Sequence, residues 1–246
     1  MKRFRWQILL GVALILLSAI LYSIHYAVFK DAHHIYLYLL GDIAFIPIEV
    51  LLVTLIINGL LNQREKRNRL GKMNMVIGSF FSEVGTLLLT YFSDFDPELA
   101  AIRKHLIVTN NWSDEEFVTV SKYLRKYDYK VEIRKIDLEG LKGFLLIKRD
   151  FLLRLLENPA LLEHESFSEL LRAVFHFSEE LERREKVTGL SDPDYRHLAV
   201  DVKRAYTLLV QQWLDYAKYL KDNYAYLFSL AMRTNPFDQT ASPFVK

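Results

Sequence analysis

The stretch Trp6–Phe29 (WQILLGVALILLSAILYSIHYAVF) decides how the rest of the chain is interpreted, because it contains no Asp, Glu, Lys or Arg. A helix of this length, at about 1.5 Å per residue, spans a hydrocarbon core of ~30 Å. A second apolar run, Ile35–Leu61, follows the polar bridge at residues 30–34. Since helices satisfy their own backbone hydrogen bonds in lipid, the two runs predict a transmembrane hairpin over residues 1–61.

A cleaved signal peptide is the alternative interpretation of the N-terminus. The apolar stretch is long for a signal peptide, no Ala-x-Ala cleavage site is evident, and a second apolar run follows it. These features favour a membrane anchor that is retained.

Positive charges flank both ends of the predicted hairpin, with Lys2, Arg3 and Arg5 before the first run and only Lys30 in the bridge. Such flanks stay on the cytoplasmic side, so the N-terminus and the residues after 61 are expected in the cytoplasm. We expect the cations after the second run to contact anionic lipid headgroups, at roughly 1 kcal/mol each. These cations are Arg64, Lys66, Arg67, Arg69 and Lys72.

Composition excludes several classes of protein. The 246 residues include no cysteine, which rules out disulfides, Cys-based zinc sites and a thiol nucleophile. Residues 1–92 carry 9 basic and 5 acidic side chains, and residues 93–246 carry 23 basic and 25 acidic ones. The part beyond the anchor therefore offers no electrostatic support for a nucleic-acid partner. Phosphate-loop, dinucleotide and serine-elbow motifs are missing from the sequence, so we predict no cofactor and favour a non-enzymatic protein.

Residues 62–92 contain the basic linker and an apolar segment, Met73–Phe92, in which Glu83 is the only charge. Small or polar residues recur every fourth position, a pattern typical of close helix–helix contact. One interpretation is a third membrane span; we prefer a juxtamembrane helix docked on the hairpin or on a neighbouring subunit. The predicted packing stripe contains Asn74, Gly78, Ser82, Thr86 and Thr90.

Residues 93–234 predict a cytoplasmic helical bundle. Ser113 with Glu116 forms a capping box before a helix that ends near residue 127. Further helices are predicted over Asp137–Glu157, Glu165–Lys186 and 192–233, with residues 131–136 as either a short strand or a loop. The tail at residues 235–246 is expected to be loose.

Two carboxylates, Asp42 and Glu49, lie in or at the second apolar run, about two helical turns apart on one face. If the second run spans a membrane, these two carboxylates suggest an ion or proton site in an oligomeric pore. The alternative is structural: Asp42 caps the helix at the interface, and Glu49 is protonated or hydrogen-bonded.

Three further groups of residues have both a functional and a structural interpretation. His25, His33 and His34 either bind a metal or lie at the membrane interface. The tyrosine-rich end of the chain is either core or a groove for a lipid or small molecule. A series of polar residues begins at Glu163 and continues along one face of the next helix. It forms an acid–base or metal site in one interpretation and, in the one we prefer, an ion-pair face. The series is Glu169, Arg172, His176 and Glu180.

The stretches NMVIGSFFSEVG, NPALLEHESFSELLRAVFHFSEELERR and YLFSLAMRTNPF resemble segments of a family of uncharacterised bacterial membrane proteins with a two-helix N-terminal anchor. The resemblance extends over most of the chain after the first helix. It implies an inner-membrane setting in a bacterium and no activity, substrate or cofactor.

The sequence thus predicts an all-α protein: a transmembrane hairpin, a juxtamembrane helix and a cytoplasmic helical domain. The function we favour is a membrane-anchored interaction or regulatory protein, homo-oligomeric and in contact with lipid and a cytoplasmic protein partner. The alternative is an oligomeric ion channel that uses Asp42 and Glu49.

Overall fold

The computed structural model describes residues 2–162 and 164–244, with the side chains of residues 2–5, 7, 67–69, 160 and 162 left out of the description. Within these ranges the chain is helical and contains no β-strand, which confirms the all-α prediction. The chain divides into two compact units, one ending at Lys66 and the other beginning at Arg67.

The first unit contains α1 (Lys2–Phe29) and the greater part of α2 (Ala32–Phe80). The two helices are separated by Lys30, whose φ of 51° is left-handed, and by Asp31. The Asp31 carboxylate accepts hydrogen bonds from the backbone N–H groups of His33 (2.9 Å) and His34 (3.3 Å). An aspartate in this position caps the exposed amides at the start of α2.

Apolar side chains cover the outside of the first unit. Nearly every large apolar side chain described between Trp6 and Leu61 is exposed. The segments Ile8–Phe29 and Ala32–Ser93 are long and apolar enough to cross a membrane. This exposed apolar surface is the main physical property of the first unit.

The second unit has its core around the segment Met73–Phe92. This segment comprises the end of α2, one π-helical turn (Phe81–Gly85) and α3 (Thr86–Ser93). The Phe80 ring packs edge-on against Phe167 at 5.4 Å between ring centroids. The Phe92 ring meets Phe177 and Tyr206, each at 6.1 Å. In this structure the segment therefore docks on the chain's own domain, a partner that the sequence interpretation had not considered.

Eight further α-helices follow this segment in the described part of the second unit, and local sequence explains several of their ends. α5 begins with the predicted capping box: Glu116 donates its N–H to Ser113 Oγ, and the Ser113 N–H donates to the Glu116 carboxylate. α10 begins after Ser191, whose hydroxyl accepts from the Asp194 N–H, with Pro193 in its first turn. The helices are α4 (Leu99–Arg103), α5 (Asp114–Lys126), α6 (Leu138–Ile147), α7 (Arg149–Leu156), α8 (Pro159–Leu162), α9 (Glu165–Glu182), α10 (Asp192–Asn223) and α11 (Ala225–Arg233).

Two long predicted helices are each broken in the structure. The helix expected over Asp137–Glu157 is interrupted at Lys148, where ψ is 1°, so α6 and α7 are separate. The helix expected over residues 192–233 is interrupted at Tyr224, which has φ −143° and ψ 72°. Neither interruption contains Pro or Gly. Residues 133–135 form a 3₁₀ turn, which excludes the strand interpretation there.

The beginning of the C-terminal tail is packed, which corrects the expectation of a loose tail. Asn235 is buried and donates from its side-chain amide to the Leu106 carbonyl at 2.9 Å. Phe237 has no exposed surface, and its ring packs on Trp213 at 5.5 Å. The Asn235 side chain also accepts a hydrogen bond from the Phe237 N–H at 3.0 Å. Asn235 therefore bonds both to the Leu106 carbonyl and to the backbone after Pro236.

Candidate functional site

The most concentrated group of chemically active side chains lies where α9 faces α10. His176 and Glu180 are one helical turn apart on α9, and His197 and Asp201 are one turn apart on α10. The chain reverses direction over residues 183–191, where Gly189 has a left-handed φ of 66°. Because the two helices pack on each other, two sequence-distant His-x-x-x-acid pairs become one cluster of four side chains.

The ring nitrogens and carboxylate oxygens of this cluster are close together. His176 Nε2 lies 3.9 Å from Glu180 Oε1 and 3.6 Å from Asp201 Oδ2. His197 Nε2 lies 3.5 Å from Glu180 Oε2 and 3.5 Å from Asp201 Oδ2. Ligand atoms of His176, Glu180 and His197 all lie within 4.8 Å of one another, as the donors of a metal site must.

Asp201 is the buried member of the cluster, with its side chain only 4% exposed. Its Oδ2 atom has no hydrogen-bond partner in the described structure and is directed at the two histidine rings. Its Oδ1 atom lies 3.6 Å from the Arg204 guanidinium. Burying a carboxylate without a hydrogen bond costs free energy, and a positive charge or a hydrogen-bond donor beside Oδ2 would offset that cost.

Glu180 is already paired on one side. Arg184 donates to Glu180 Oε2 at 2.6 Å and also approaches Asp194 at 3.3 Å. The hydrogen bond from Arg184 holds the pKa of the Glu180 carboxyl below its usual value, so the group is ionised at neutral pH. The two histidine side chains are about half exposed, at 45% and 52%, so the cluster is open to solvent on one side.

The predicted polar series only partly joins this cluster. His176 and Glu180 belong to it, whereas Glu169 and Arg172 line a neighbouring depression of about 690 Å³ that His176 borders. Glu163 lies outside the described residues. His197 and Asp201 were missed by the sequence interpretation, although the same one-turn spacing of histidine and acid on both sides of a turn is a signal that could have found them.

A second feature is an apolar groove of about 500 Å³ within the second unit. The predicted packing stripe forms one wall, through Asn74, Gly78, Ser82 and Thr86. The tyrosine-rich end of the chain forms the other wall. The residues of this wall are Trp213, Tyr216, Tyr219, Leu220, Tyr224, Tyr226, Leu227, Leu230, Ala231 and Thr234.

Close backbone approach sets the shape of this groove. A Cβ atom on Gly78 would lie 2.6 Å from the Tyr216 hydroxyl oxygen, so only glycine fits beside that ring in its present position. The Tyr216 ring stacks on Phe81 at 5.4 Å. Burial, followed by the neighbouring Tyr224 hydroxyl, raises the pKa of Tyr219 to about 12, so its phenol stays neutral at neutral pH.

The predicted membrane carboxylates, Asp42 and Glu49, are both exposed on α2 within the first unit. Among the described residues neither has an ion-pair or hydrogen-bond partner, and Ser18 and Thr54 form no bond to Glu49. Of the predicted histidine group, His25 and His34 stack at 5.9 Å between ring centroids.

Of the predicted headgroup-contacting cations, Arg64, Lys66 and Lys72 are exposed. The side chains of Arg67 and Arg69 lie outside the described residues. An exposed position is what a contact with lipid headgroups requires, and this contact stays a prediction.

Comparison with known proteins gives a consistent family assignment. A family described as "Uncharacterized protein MJ1433, C-terminal helical domain" matches residues 69–233, and "MJ1433, N-terminal helical domain" matches residues 2–61. The chain is 49% identical over 234 residues to "Uncharacterized protein MJ1433" of Methanocaldococcus jannaschii, covering 95% of this chain and 94% of that protein. No solved structure gives a significant match. That relative is archaeal, so the bacterial setting implied by the resemblance is not confirmed. With both helical domains matched in order, this chain belongs to the MJ1433 family.

Proposed function

We propose that this chain is a membrane-anchored helical protein whose hairpin, residues 1–61, holds the domain beginning at Arg67 at the cytoplasmic face of a membrane. The domain then serves as an interaction or regulatory module, in a homo-oligomer and without catalysis of its own. The observation that carries the proposal is the exposed apolar surface of the first unit.

The size of that surface supports a membrane setting for this unit. Leu9 is 72% exposed, Leu40 71% and Val28 67%. Covering one such side chain stabilises a protein by roughly 1.5–3 kcal/mol, and the unit exposes dozens of large apolar groups. Soluble monomers rarely expose contiguous apolar patches above a few hundred Å². Lipid covers both helices at once, and the cationic flanks match the orientation in which the termini stay cytoplasmic.

A binding role for the domain is supported by the groove. Its lining is mostly aromatic and aliphatic, with tyrosine hydroxyls at intervals, as is usual for pockets that bind small molecules. The carboxylate among its lining residues, Glu83, is paired with Lys148 at 2.6 Å.

The anchor is tested by fractionation and by reporter fusions. We expect the full chain to stay in the membrane pellet after an alkaline carbonate wash. Reporters fused before Trp6 and after Lys246 should both be active in the cytoplasm, because the Lys and Arg excess lies at both ends of the hairpin. A control reporter inserted after His33 should be active on the opposite side. Release of the chain by carbonate, or a non-cytoplasmic Lys246, contradicts the proposal.

A second candidate function, ion conduction, is favoured by one observation: Asp42 and Glu49 are acids on an apolar helix that have no partner among the described residues. Under this hypothesis Glu49→Gln changes ion flux or its pH dependence while assembly is kept, because the substitution keeps the shape and removes the charge. Under the anchor proposal, liposomes containing the wild-type protein show no flux above protein-free liposomes, which is the result we expect. Flux that Glu49→Gln abolishes and Asp31→Asn leaves intact would make the channel the better account.

A further inference from the structure

The cluster between α9 and α10 has the distances that the ligands of one metal ion show. Two donor atoms on a tetrahedral ion with bonds of about 2.0–2.1 Å are roughly 3.3 Å apart. The four nitrogen–oxygen separations in the cluster run from 3.5 to 3.9 Å. The widest of these four pairs must close by roughly half an ångström to match a tetrahedral ion, and the half-exposed histidine rings have room to move. The ligand atoms of His176, Glu180 and His197 all lie within 4.8 Å of one another.

The buried carboxylate is the independent observation that points to a cation. Asp201 Oδ2 has no hydrogen-bond partner in the described structure, although the side chain is 4% exposed. Arg204 approaches only the other oxygen, Oδ1, at 3.6 Å. Oδ2 is equidistant, within 0.1 Å, from His176 Nε2 and His197 Nε2, at 3.6 and 3.5 Å. An ion bound there would satisfy this oxygen and both ring nitrogens at once.

The surroundings of the cluster supply the other parts of a metal site. Arg184 binds Glu180 Oε2 at 2.6 Å and fixes the carboxylate in place. It leaves Oε1 to face His176 at 3.9 Å. Arrangements of this kind, in which a hydrogen bond orients a ligand, are usual around protein-bound metals. Imidazole with carboxylate suits zinc and other divalent first-row ions better than calcium or magnesium, which take all-oxygen sites.

We infer that His176, His197 and Asp201, with Glu180 as a fourth ligand, bind one divalent first-row transition-metal ion between α9 and α10. The ion links α9 and α10, the pair of helices that pack most extensively on each other in the domain. Four protein ligands complete the coordination of a tetrahedral ion, as in structural zinc sites.

The test uses the full chain in mild detergent, freed of metal by chelation and titrated with ZnCl₂ in a calorimeter at neutral pH. We expect one saturable site per chain and a rise in the melting temperature with zinc, because an ion that binds only the folded state stabilises it. His197→Asn and Asp201→Asn should each weaken the affinity at least about tenfold. Cobalt(II) in place of zinc should give visible absorption bands that both substitutions remove.

Two controls separate this site from other histidines of the chain. His105→Asn alters a histidine of the same domain whose ring contacts Tyr123 at 4.8 Å between ring centroids, and it should leave zinc affinity unchanged. The double variant His33→Asn with His34→Asn removes two of the histidines near the bridge and should also bind zinc normally. His197 is half exposed, so its substitution keeps the fold even if Asp201→Asn does not. Absence of saturable binding, equal binding by His197→Asn and wild type, or loss of binding only in the bridge variant would overturn the assignment.

Discussion

Phe92→Ala is expected to lower the free energy of unfolding of the domain by about 3–5 kcal/mol, the usual cost of truncating a fully buried phenylalanine. Phe92 has no exposed surface, and its ring meets Phe177 and Tyr206 edge-on. Removal leaves a cavity among side chains on α9 and α10 that cannot all move inward. The measurement is urea unfolding of the full chain in mild detergent, followed by the near-ultraviolet circular dichroism of the aromatic core.

The matched control is Leu87→Ala, on the same short helix α3 but 41% exposed. It should cost less than about 1 kcal/mol, because little packing is lost at the surface. Equal effects of the two substitutions would mean that Met73–Phe92 is not part of the domain core, and a third membrane span would again be the better account of this segment.

Gly78→Leu is expected to destabilise the domain by roughly 1–3 kcal/mol, the cost of forcing extra atoms into a close contact. A Cβ at this position would lie 2.6 Å from the Tyr216 hydroxyl and 3.2 Å from the ring carbon that carries it. If the Tyr216 ring moves away to make room for the leucine, it loses its stacking on Phe81 at 5.4 Å. The readout is the melting temperature of the full chain, together with its oligomeric state by light scattering.

Gly143→Leu is the control for this second prediction, since it makes the same change in the middle of α6 where no atom lies within 4 Å of the new Cβ. Leucine has a higher helix propensity than glycine by up to about 1 kcal/mol, so this control should be neutral or stabilising. A similar melting temperature for the two variants would show that the wall formed by Gly78 and Tyr216 is not tight.

Local signals in the sequence predicted local structure well. The Ser113 capping box is present with both of its hydrogen bonds, and the region of α9 carries a helix as expected. These features depend on residues three or four positions apart. The breaks at Lys148 and Tyr224 have no such signal, because neither residue is Pro or Gly and helix propensity is a weak guide that tertiary context overrides.

In the candidate metal cluster, too, the part set by neighbouring residues was predictable and the part set by helix packing was not. His176 and Glu180 were noticed because they lie one turn apart on one helix. His197 and Asp201 belong to the next helix, and only the packing of α10 on α9 brings them within 4 Å of the first pair. In the same way, the stripe at Gly78 was recognised as a contact surface, but its partner, Tyr216, comes from a helix far along the chain.

The π-helical turn at Phe81–Gly85, in which the Thr86 N–H bonds to the Phe81 carbonyl, controls the phase of the segment that contains it. Met73, Ile77, Phe81 and Leu89 lie at multiples of four residues and are all buried. In a straight α-helix each four-residue step rotates the side chain by about 40°, so such a series drifts away from a fixed face. One wider turn, at roughly 4.4 residues, cancels part of that drift. If the same residues wound as a regular α-helix, one half of the segment would turn by roughly 90° against the other. Both halves of the segment therefore face the core only while this turn keeps its wider winding.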